Sequence, residues 1–292
     1  MQSIAITEHS KEGQVTRKPI LFATLLTLTS SAICAQQPAT FTVPVKCGVT
    51  HDSPNPSRPP AAHPLRITIP EAEANAIDQA GRNHPGFLSI PEPENFGMVR
   101  YRIAEYADCA NPSRCYWNDL QSQLDRAQAE LKRLVATRKP GERLAMVLDI
   151  DETSLSSYCE LKREGFGYID AQHKQWLVSP EASIAIPGTL ELFNQALGAN
   201  VSVFFITGRS HDEYEATAHN LRLAGYHDWT GLIVRNEEEL SMDTSLYKSS
   251  HRAEIAKDHR IILSVGDQWS DLNGTPHAEV SIKLPNPFYF LP

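Results

Sequence analysis

This chain of 292 residues has few cysteines, no excess of positive charge and no internal repeat or heptad pattern. Its 27 lysines and arginines are outnumbered by 35 aspartates and glutamates, giving a net charge of −8. No basic run stands out, which argues against a nucleic-acid partner. The remaining composition, 41% hydrophobic and 21% charged, is typical of a soluble globular protein.

Long apolar runs are also missing. The one near the N-terminus, residues 20–28, is too short and too rich in threonine to predict a membrane span. Two basic residues precede it and small residues follow through Ala35, which is the order of regions in a secretory signal. We therefore predict a signal peptide over residues 1–35 and a periplasmic or secreted protein; lipidation at Cys34 is disfavoured.

Export would leave four cysteines, Cys47, Cys109, Cys115 and Cys159. An even number in an oxidising compartment indicates two disulfides, for which three connectivities exist. We favour Cys109 with Cys115, because they lie close together in a polar loop, and this leaves Cys47 with Cys159. A thiolate zinc site is disfavoured because the sequence has no CxxC pair.

The mature chain divides by composition. Residues 36–65 are rich in proline, serine and threonine, cannot bury a core, and are predicted to form an arm or linker. We assign the folded domain to residues 66–292. Leucines and alanines three and four apart predict an amphipathic helix over residues 115–137.

Strands and helices alternate after that helix. Apolar runs predict strands at residues 144–150, 201–206, 231–234, 261–265 and 279–284, and helices at residues 189–197, 211–224 and 248–257. This alternation predicts an α/β fold with a mostly parallel sheet and right-handed crossovers. Residues 158–186 interrupt the rhythm with several aromatics, as a small cap over a site or as a satellite core.

The first strand ends in the sequence DIDET, which sets Asp149 and Asp151 at its carboxyl end. Ligands bind at that end of open parallel sheets. Two adjacent carboxylates repel unless a cation or a proton lies between them. The functional interpretation is a Mg²⁺ site in which one carboxylate is also a nucleophile; the alternative is a polar turn with one aspartate capping a helix.

Other polar residues fall at the same predicted edge. Thr207 and Gly208 follow the second strand, Lys248 begins a helix, and Asp267 and Asp271 follow the fourth strand. Each has an unremarkable alternative as a turn, a solvated charge or a cap. Together, in this order, they indicate a phosphoryl-transfer site.

The chemistry of phosphoryl transfer accounts for these residue types. A carboxylate nucleophile forms an acyl phosphate, and Mg²⁺ held by oxygen ligands offsets the negative charge. Thr207 would supply a hydroxyl and Lys248 a fixed cation to the transferring oxygens. Asp151, two residues after Asp149, has the reach to act as general acid and base.

The motifs DIDET, ITGR, YKSSHR and GDQWSDL resemble the four motifs of the haloacid dehalogenase-like superfamily. Within it, the chain resembles the secreted acid phosphatases, a subgroup that includes plant vegetative storage protein-type and bacterial class B or class C-type enzymes. The resemblance covers about residues 115–284. It implies a three-layer α/β/α sandwich with a Rossmann-like sheet, a central Asp149 strand, and a cap over residues 158–186.

The resemblance also implies roles. Asp149 would be the nucleophile and Asp151 the general acid and base; Thr207, Gly208 and Lys248 would bind the substrate phosphate. The Mg²⁺ ligands would be Asp149, the Asp151 backbone carbonyl and Asp267, together with Asp271, which would bind directly or through water.

The resulting prediction is a secreted, Mg²⁺-dependent acid phosphatase acting on small phosphate esters such as nucleoside monophosphates, through an aspartyl-phosphate intermediate. The alternatives are a non-catalytic phosphate- or protein-binding relative and a phosphotransferase. A homo-oligomer is compatible with the sequence.

Overall fold

The computed structural model describes residues 70–291, which contain a five-stranded parallel sheet. The strands are β1 (Leu144–Leu148), β2 (Ser202–Ser210), β3 (Gly231–Arg235), β4 (Arg260–Gly266) and β5 (Val280–Lys283). Their order is β3-β2-β1-β4-β5, and every neighbouring pair is parallel. The predicted parallel sheet is confirmed, and the strand that leads to Asp149 lies at its centre.

Helices connect the strands and also precede β1. They are α1 (Glu71–Arg82), α2 (Phe96–Ala107), α3 (Tyr116–Val135), α4 (Tyr158–Arg163), α5 (Asp170–Leu177), α6 (Pro187–Gly198), α7 (Tyr214–Leu223), α8 (Thr244–Ile255) and α9 (Trp269–Leu272). In α3 the predicted apolar face is buried: Leu120, Leu124, Ala127, Leu131 and Leu134. Burial of each such leucine contributes about 1.5–3 kcal/mol, which fixes α3 against the sheet.

The two faces of the sheet support separate apolar layers. Met146 and Leu148 of β1 pack in the larger core with apolar residues of α3 and α6. The alternate residues, Ala145 and Val147, pack on the other side with Tyr247 of α8. Successive side chains of a strand point to opposite faces of the sheet, and here both faces are covered. Every residue of β1 is therefore buried, which explains why its sequence is a continuous apolar run. The predicted three-layer sandwich is confirmed.

The turn after β1 brings the motif residues to the sheet edge. The strand ends at Leu148, two residues earlier than predicted, although the Asp149 N–H still donates to Val265 O at 3.0 Å. The Ile150 carbonyl then accepts three N–H groups of the next turn, from Thr153 at 3.3 Å and from Ser154 and Leu155, both at 2.8 Å. This closure directs the chain away from the sheet immediately after the two aspartates.

Two predicted boundaries near the site were wrong. Strand β2 continues through Thr207 and Gly208 to Ser210, although its pairing with β3 shifts register after Ile206. Helix α8 begins at Thr244, where the Asp243 side chain accepts the Leu246 N–H, so Lys248 lies one turn inside the helix. Helices α1 and α2 were not predicted, because prolines flank this part of the chain and no clear helical periodicity stands out in it.

Residues 158–186 contain α4, α5 and a short 3₁₀ turn, Pro180–Ala182. Trp176, Leu177 and Ala182 form a small separate cluster, so part of this segment is a satellite core. Its assignment as a cap domain stays a prediction.

The predicted Cys109–Cys115 disulfide is present. Cys47, the signal peptide (residues 1–35) and the arm (residues 36–65) lie outside the described residues, so these predictions stay open. Among residues 70–291, no helix combines the length and apolar character needed to cross a membrane.

Candidate active site

Three carboxylates meet at the carboxyl edge of the sheet. Asp149 follows β1, Asp267 follows β4, and Asp271 lies in α9. One carboxylate oxygen from each lies within 4.8 Å of the others, and all three side chains are buried. The strand order explains this meeting, because β1 and β4 are neighbours whose carboxyl ends share one edge.

Lys248 supplies the positive charge of this cluster. Its Nζ lies 2.5 Å from Asp149 Oδ1 and 2.5 Å from Asp271 Oδ1. Burial alone would lower the pKa of Lys248, but the carboxylates of Asp149 and Asp271 outweigh burial and raise that pKa. The lysine therefore remains a cation although its side chain is only 5% exposed.

One ammonium does not balance three carboxylates. Burial raises the pKa of Asp149 well above its usual range, with Asp271 and Asp267 adding to the rise and Lys248 opposing it. Burial and Asp271 raise the pKa of Asp267 to about 7. A buried group of hard oxygen donors with excess negative charge fits a divalent cation such as Mg²⁺.

The position of Asp271 depends on its neighbours. Its Oδ2 accepts the Gln268 N–H at 2.7 Å, which caps α9. A Cβ built on Gly266 would lie 2.3 Å from the Asp271 Cβ, so only glycine fits at this position. The fully buried Arg252 donates to the Asp271 backbone oxygen at 2.6 Å and to the Pro276 oxygen at 3.0 Å, which holds the loop after α9.

Asp151 is paired with Arg209. The guanidinium donates through Nη2 to Oδ1 at 2.7 Å and through Nε to Oδ2 at 3.1 Å, and Nη1 donates to Thr217 Oγ1 at 3.1 Å. Burial acts to raise the pKa of Asp151, but the charge and hydrogen bonds of Arg209 outweigh it and lower that pKa. The two hydrogen bonds from Arg209 thus fix the orientation of the Asp151 carboxylate.

A cavity opens at this edge of the sheet, and Thr207 and Gly208 differ in their access to it. Gly208 lies in the cavity wall together with Asp149, Asp151 and Lys248. Thr207 is fully buried, and its Oγ1 accepts the Arg209 N–H at 3.2 Å. The structure therefore brings together the aspartates, Lys248 and Gly208, whereas the Thr207 hydroxyl contacts its own strand.

A cavity of about 830 Å³ opens onto these groups. Its apolar wall comes from two parts of the chain, the α4–α5 region and the C-terminal residues. The aromatic residues of that wall are Phe166, Tyr168, Phe288, Tyr289 and Phe290. A volume of this size holds a small organic ligand.

Comparison with known proteins places the chain in a family. The model of the HAD superfamily, subfamily IIIB (acid phosphatase), matches residues 92–292. The chain belongs to this family. As a family member, it is a phosphoric monoester hydrolase, and the resemblance inferred from the four motifs is confirmed.

Several plant proteins are similar to this phosphatase. Acid phosphatase 1 of Solanum lycopersicum is 33% identical over 175 residues, covering 58% of this chain and 68% of the relative. A stem 31 kDa glycoprotein of Glycine max is 29% identical over 191 residues, covering 63% of this chain and 75% of the relative. Vegetative storage protein 1 of Arabidopsis thaliana is 32% identical over 151 residues, covering 50% and 55%.

Two solved structures of the class C acid phosphatase from Bacillus anthracis share the fold. The tungstate-bound structure has a TM-score of 0.52 at 23% identity and covers 60% of this chain and 79% of that one. The other structure has a TM-score of 0.54 at 20% identity and covers 66% of this chain and 86% of that one. At these identities the likeness supports the fold alone.

The structure of this phosphatase adds a residue that sequence reasoning missed. Glu152 is buried; its Oε1 accepts both the N–H and the hydroxyl of Ser157 at 2.6 Å, and its Oε2 accepts the Tyr289 hydroxyl at 2.9 Å. Burial raises the pKa of Glu152 to about 7. The position of Glu152 in the DIDET motif indicates that it lies near the site, but the sequence does not show that Ser157 and Tyr289 are its hydrogen-bond partners.

Arg209 was missed in the same way. The ITGR motif contains Arg209 but does not indicate its role, whereas in the structure Arg209 is the partner of Asp151. A cation two residues after a predicted phosphate-binding threonine, facing a carboxylate-rich edge, was the signal available.

Proposed function

We propose that this phosphatase hydrolyses small phosphomonoesters through an aspartyl phosphate on Asp149, with Mg²⁺ as its cofactor. The observation that carries the proposal is the buried cluster of Asp149, Asp267 and Asp271, in which Lys248 contacts the first and the last, with Asp151 on the wall of the same cavity. This set combines a nucleophile, an acid and base, a phosphate-binding cation and oxygen ligands.

The first half-reaction transfers the phosphoryl group to the enzyme. A carboxylate oxygen of Asp149 attacks phosphorus, and the bond between phosphorus and the leaving oxygen breaks. Asp151 must carry a proton for this step, and acidic pH favours that form because Arg209 lowers the pKa of Asp151. Asp151 donates that proton to the leaving oxygen, and the alcohol departs. The fork of Arg209 keeps the Asp151 carboxyl directed at the cavity while this occurs.

The second half-reaction releases inorganic phosphate. Asp151, now a carboxylate, takes a proton from water as that water attacks the phosphorus. The bond between Asp149 and phosphorus breaks, and both carboxyl groups return to their starting state. Lys248, which lines the same cavity as Asp149, stays beside the transferring group in both halves and offsets the charge of the phosphate oxygens.

The metal ligands in this proposal are the carboxylates of Asp149, Asp267 and Asp271 and the Asp151 backbone carbonyl. When bound, Mg²⁺ would offset the charge on the phosphate oxygens and on the cluster itself. The three clustered carboxylates, of which only Asp149 and Asp271 contact an ammonium, support this assignment, because Mg²⁺ prefers oxygen ligands and a local excess of negative charge.

The cavity wall supports an aromatic leaving group. Tyr168 is 64% exposed and Phe290 is 71% exposed, which leaves ring surface available to a planar ligand. Both residues line the 830 Å³ cavity that contains Asp149. Aryl phosphates and nucleoside monophosphates are therefore the proposed substrates. The predicted signal peptide over residues 1–35 and the Cys109–Cys115 disulfide support a periplasmic or secreted location.

Hydrolysis of an aryl phosphate by the purified protein tests the proposal. It would be measured from acidic to neutral pH, with Mg²⁺, with a chelator, and for Asp149→Asn. Metal-dependent hydrolysis that is lost in Asp149→Asn supports the proposal. An inactive protein that still binds Mg²⁺ and phosphate would instead be a non-catalytic relative. Adding an alcohol acceptor and analysing the products separates hydrolysis from phosphotransfer.

A further inference from the structure

The C-terminal residues 285–291, which we call the C-terminal strap, run along the cavity after β5. Three of their polar groups contact the site: Asn286 Nδ2 donates to Asp267 Oδ2 at 2.7 Å, the Tyr289 hydroxyl donates to Glu152, and the Leu291 N–H donates to Gln268 Oε1 at 3.1 Å. The strap therefore contacts the residues that follow both central strands, β1 and β4.

Phe288 fixes the strap in place. It is buried, and its ring stacks on Phe166 at 5.9 Å with an interplanar angle of 8°. It also stacks on Tyr158 at 5.9 Å and meets Tyr116 edge-on at 5.1 Å. Because these partners come from α3 and from the segment between β1 and β2, the strap is held at a defined position between them.

Asn286 uses both ends of its amide. Its Oδ1 accepts the Phe288 N–H at 2.8 Å, and its Nδ2 donates to Asp267 Oδ2 at 2.7 Å. The planar amide couples the two contacts, so the turn that buries Phe288 also aims a donor at Asp267.

Two of the three hydrogen bonds that the Asp267 carboxylate accepts go to the same oxygen. Its Oδ2 accepts N–H groups from Asn286 and from the Gln268 side chain, both at 2.7 Å, whereas its Oδ1 accepts the Thr153 hydroxyl at 3.1 Å. Hydrogen bonds to a metal-binding carboxylate fix its orientation and tune its affinity for the ion.

We propose that Asn286 is a positioning residue that orients Asp267 to hold the divalent cation. The inference rests on the proposed role of Asp267 as a Mg²⁺ ligand. It makes the C-terminal strap part of the active site rather than a tail beyond the last strand.

Calorimetric titration of the full chain with Mg²⁺, without substrate, tests the inference. Asn286→Ser keeps an oxygen that can accept the Phe288 N–H but removes the amide donor to Asp267. We expect its Mg²⁺ Kd to rise about tenfold or more. Its thermal midpoint without metal should match wild type, and its kcat should recover at saturating Mg²⁺.

Asn95→Ser is the matched control. The Asn95 Oδ1 also accepts the N–H two residues later, from Gly97 at 2.9 Å, in an exposed turn at the start of α2. Its Mg²⁺ Kd should equal that of wild type. Asn286→Ala, which lacks the turn acceptor as well, should bind Mg²⁺ as weakly as Asn286→Ser.

An Asn286→Ser protein that binds Mg²⁺ as wild type does, or that fails to fold, overturns the inference. Asp267→Asn separates this failure from failure of the proposed function. If Asp267→Asn loses Mg²⁺ binding while Asn286→Ser retains it, only the role of Asn286 is wrong. If Asp267→Asn itself binds Mg²⁺ normally, the metal assignment is wrong and the inference falls with it.

Discussion

The Nζ of Lys248 lies 2.5 Å from Asp149 Oδ1, although the two residues are 99 positions apart. The contact is possible because α8 reaches the carboxyl edge of the sheet one turn after it begins. The same ammonium contacts Asp271, so a single cation joins the proposed nucleophile to a proposed metal ligand. Substitutions of these residues should therefore affect both catalysis and the charge balance of a buried cluster.

Asp149→Asn should abolish turnover without lowering stability. The amide cannot act as the attacking carboxylate, whereas the change removes one negative charge from a cluster of three carboxylates and one ammonium. Lys248 keeps its contact with Asp271. Aryl phosphate hydrolysis should fall to the background rate, and the thermal midpoint should equal or exceed that of wild type. Retained hydrolysis would end the assignment of Asp149 as the nucleophile.

Lys248→Met should reduce kcat/KM by at least about a hundredfold, the usual effect of losing one preorganised donor to a developing charge. It should also lower the thermal midpoint of the metal-free protein, because it leaves Asp149 and Asp271 buried without their cation. Mg²⁺ should restore part of that stability but not the activity.

Lys257→Met is the control for this change, because Lys257 is exposed and pairs with Glu254 at 2.5 Å, three residues earlier in the chain. Its kcat/KM and thermal midpoint should match wild type. A loss below about tenfold in Lys248→Met would mean that Lys248 does not contact the transferring phosphate.

The sequence predicted the parts of the site that follow regular strands. Asp149 and Asp267 were placed correctly because each follows an apolar run, and parallel strands present their carboxyl ends at one edge. Periodicity also predicted α3, whose leucines recur three and four residues apart. In these cases a local pattern and the global fold require the same arrangement.

Contacts made by irregular segments were not predictable in this way. Asn286 and Tyr289 reach Asp267 and Glu152 from a strap without helix or strand, where no periodicity indicates which side chains face the site. Arg209 was visible in its motif, but its pairing with Asp151 depends on the extension of β2 beyond Thr207. Only the folded chain brings these residues together.

Arg209→Lys should lower kcat about a hundredfold with little change in KM. An ammonium cannot reproduce the two-bond fork that holds Asp151, and misplacement of a catalytic group by about 1 Å costs a factor of this order. Steady-state kinetics on an aryl phosphate measures both constants. Arg222→Lys, at an exposed position of α7 where the guanidinium stacks on Trp229, is the control and should keep wild-type kcat. Equal kcat in the two variants would contradict a positioning role for Arg209.

Gly266→Ala should impair the metal site through sterics alone. The new Cβ would lie 2.3 Å from the Asp271 Cβ and 2.5 Å from its Oδ2, so Asp271 must move away from Lys248 and Asp149. We expect weaker Mg²⁺ binding, a fall in kcat, and a loss of about 1–3 kcal/mol in the free energy of unfolding. Gly198→Ala, at the end of α6, places its new Cβ in open space. It should leave Mg²⁺ binding and kcat unchanged and raise the free energy of unfolding by about 0.4–1 kcal/mol, because alanine has less conformational freedom than glycine in the unfolded chain. Calorimetric titration, kinetics and denaturant unfolding of the two variants would compare them directly; if Gly266→Ala matched Gly198→Ala, the close approach of Asp271 to β4 would not be required for function.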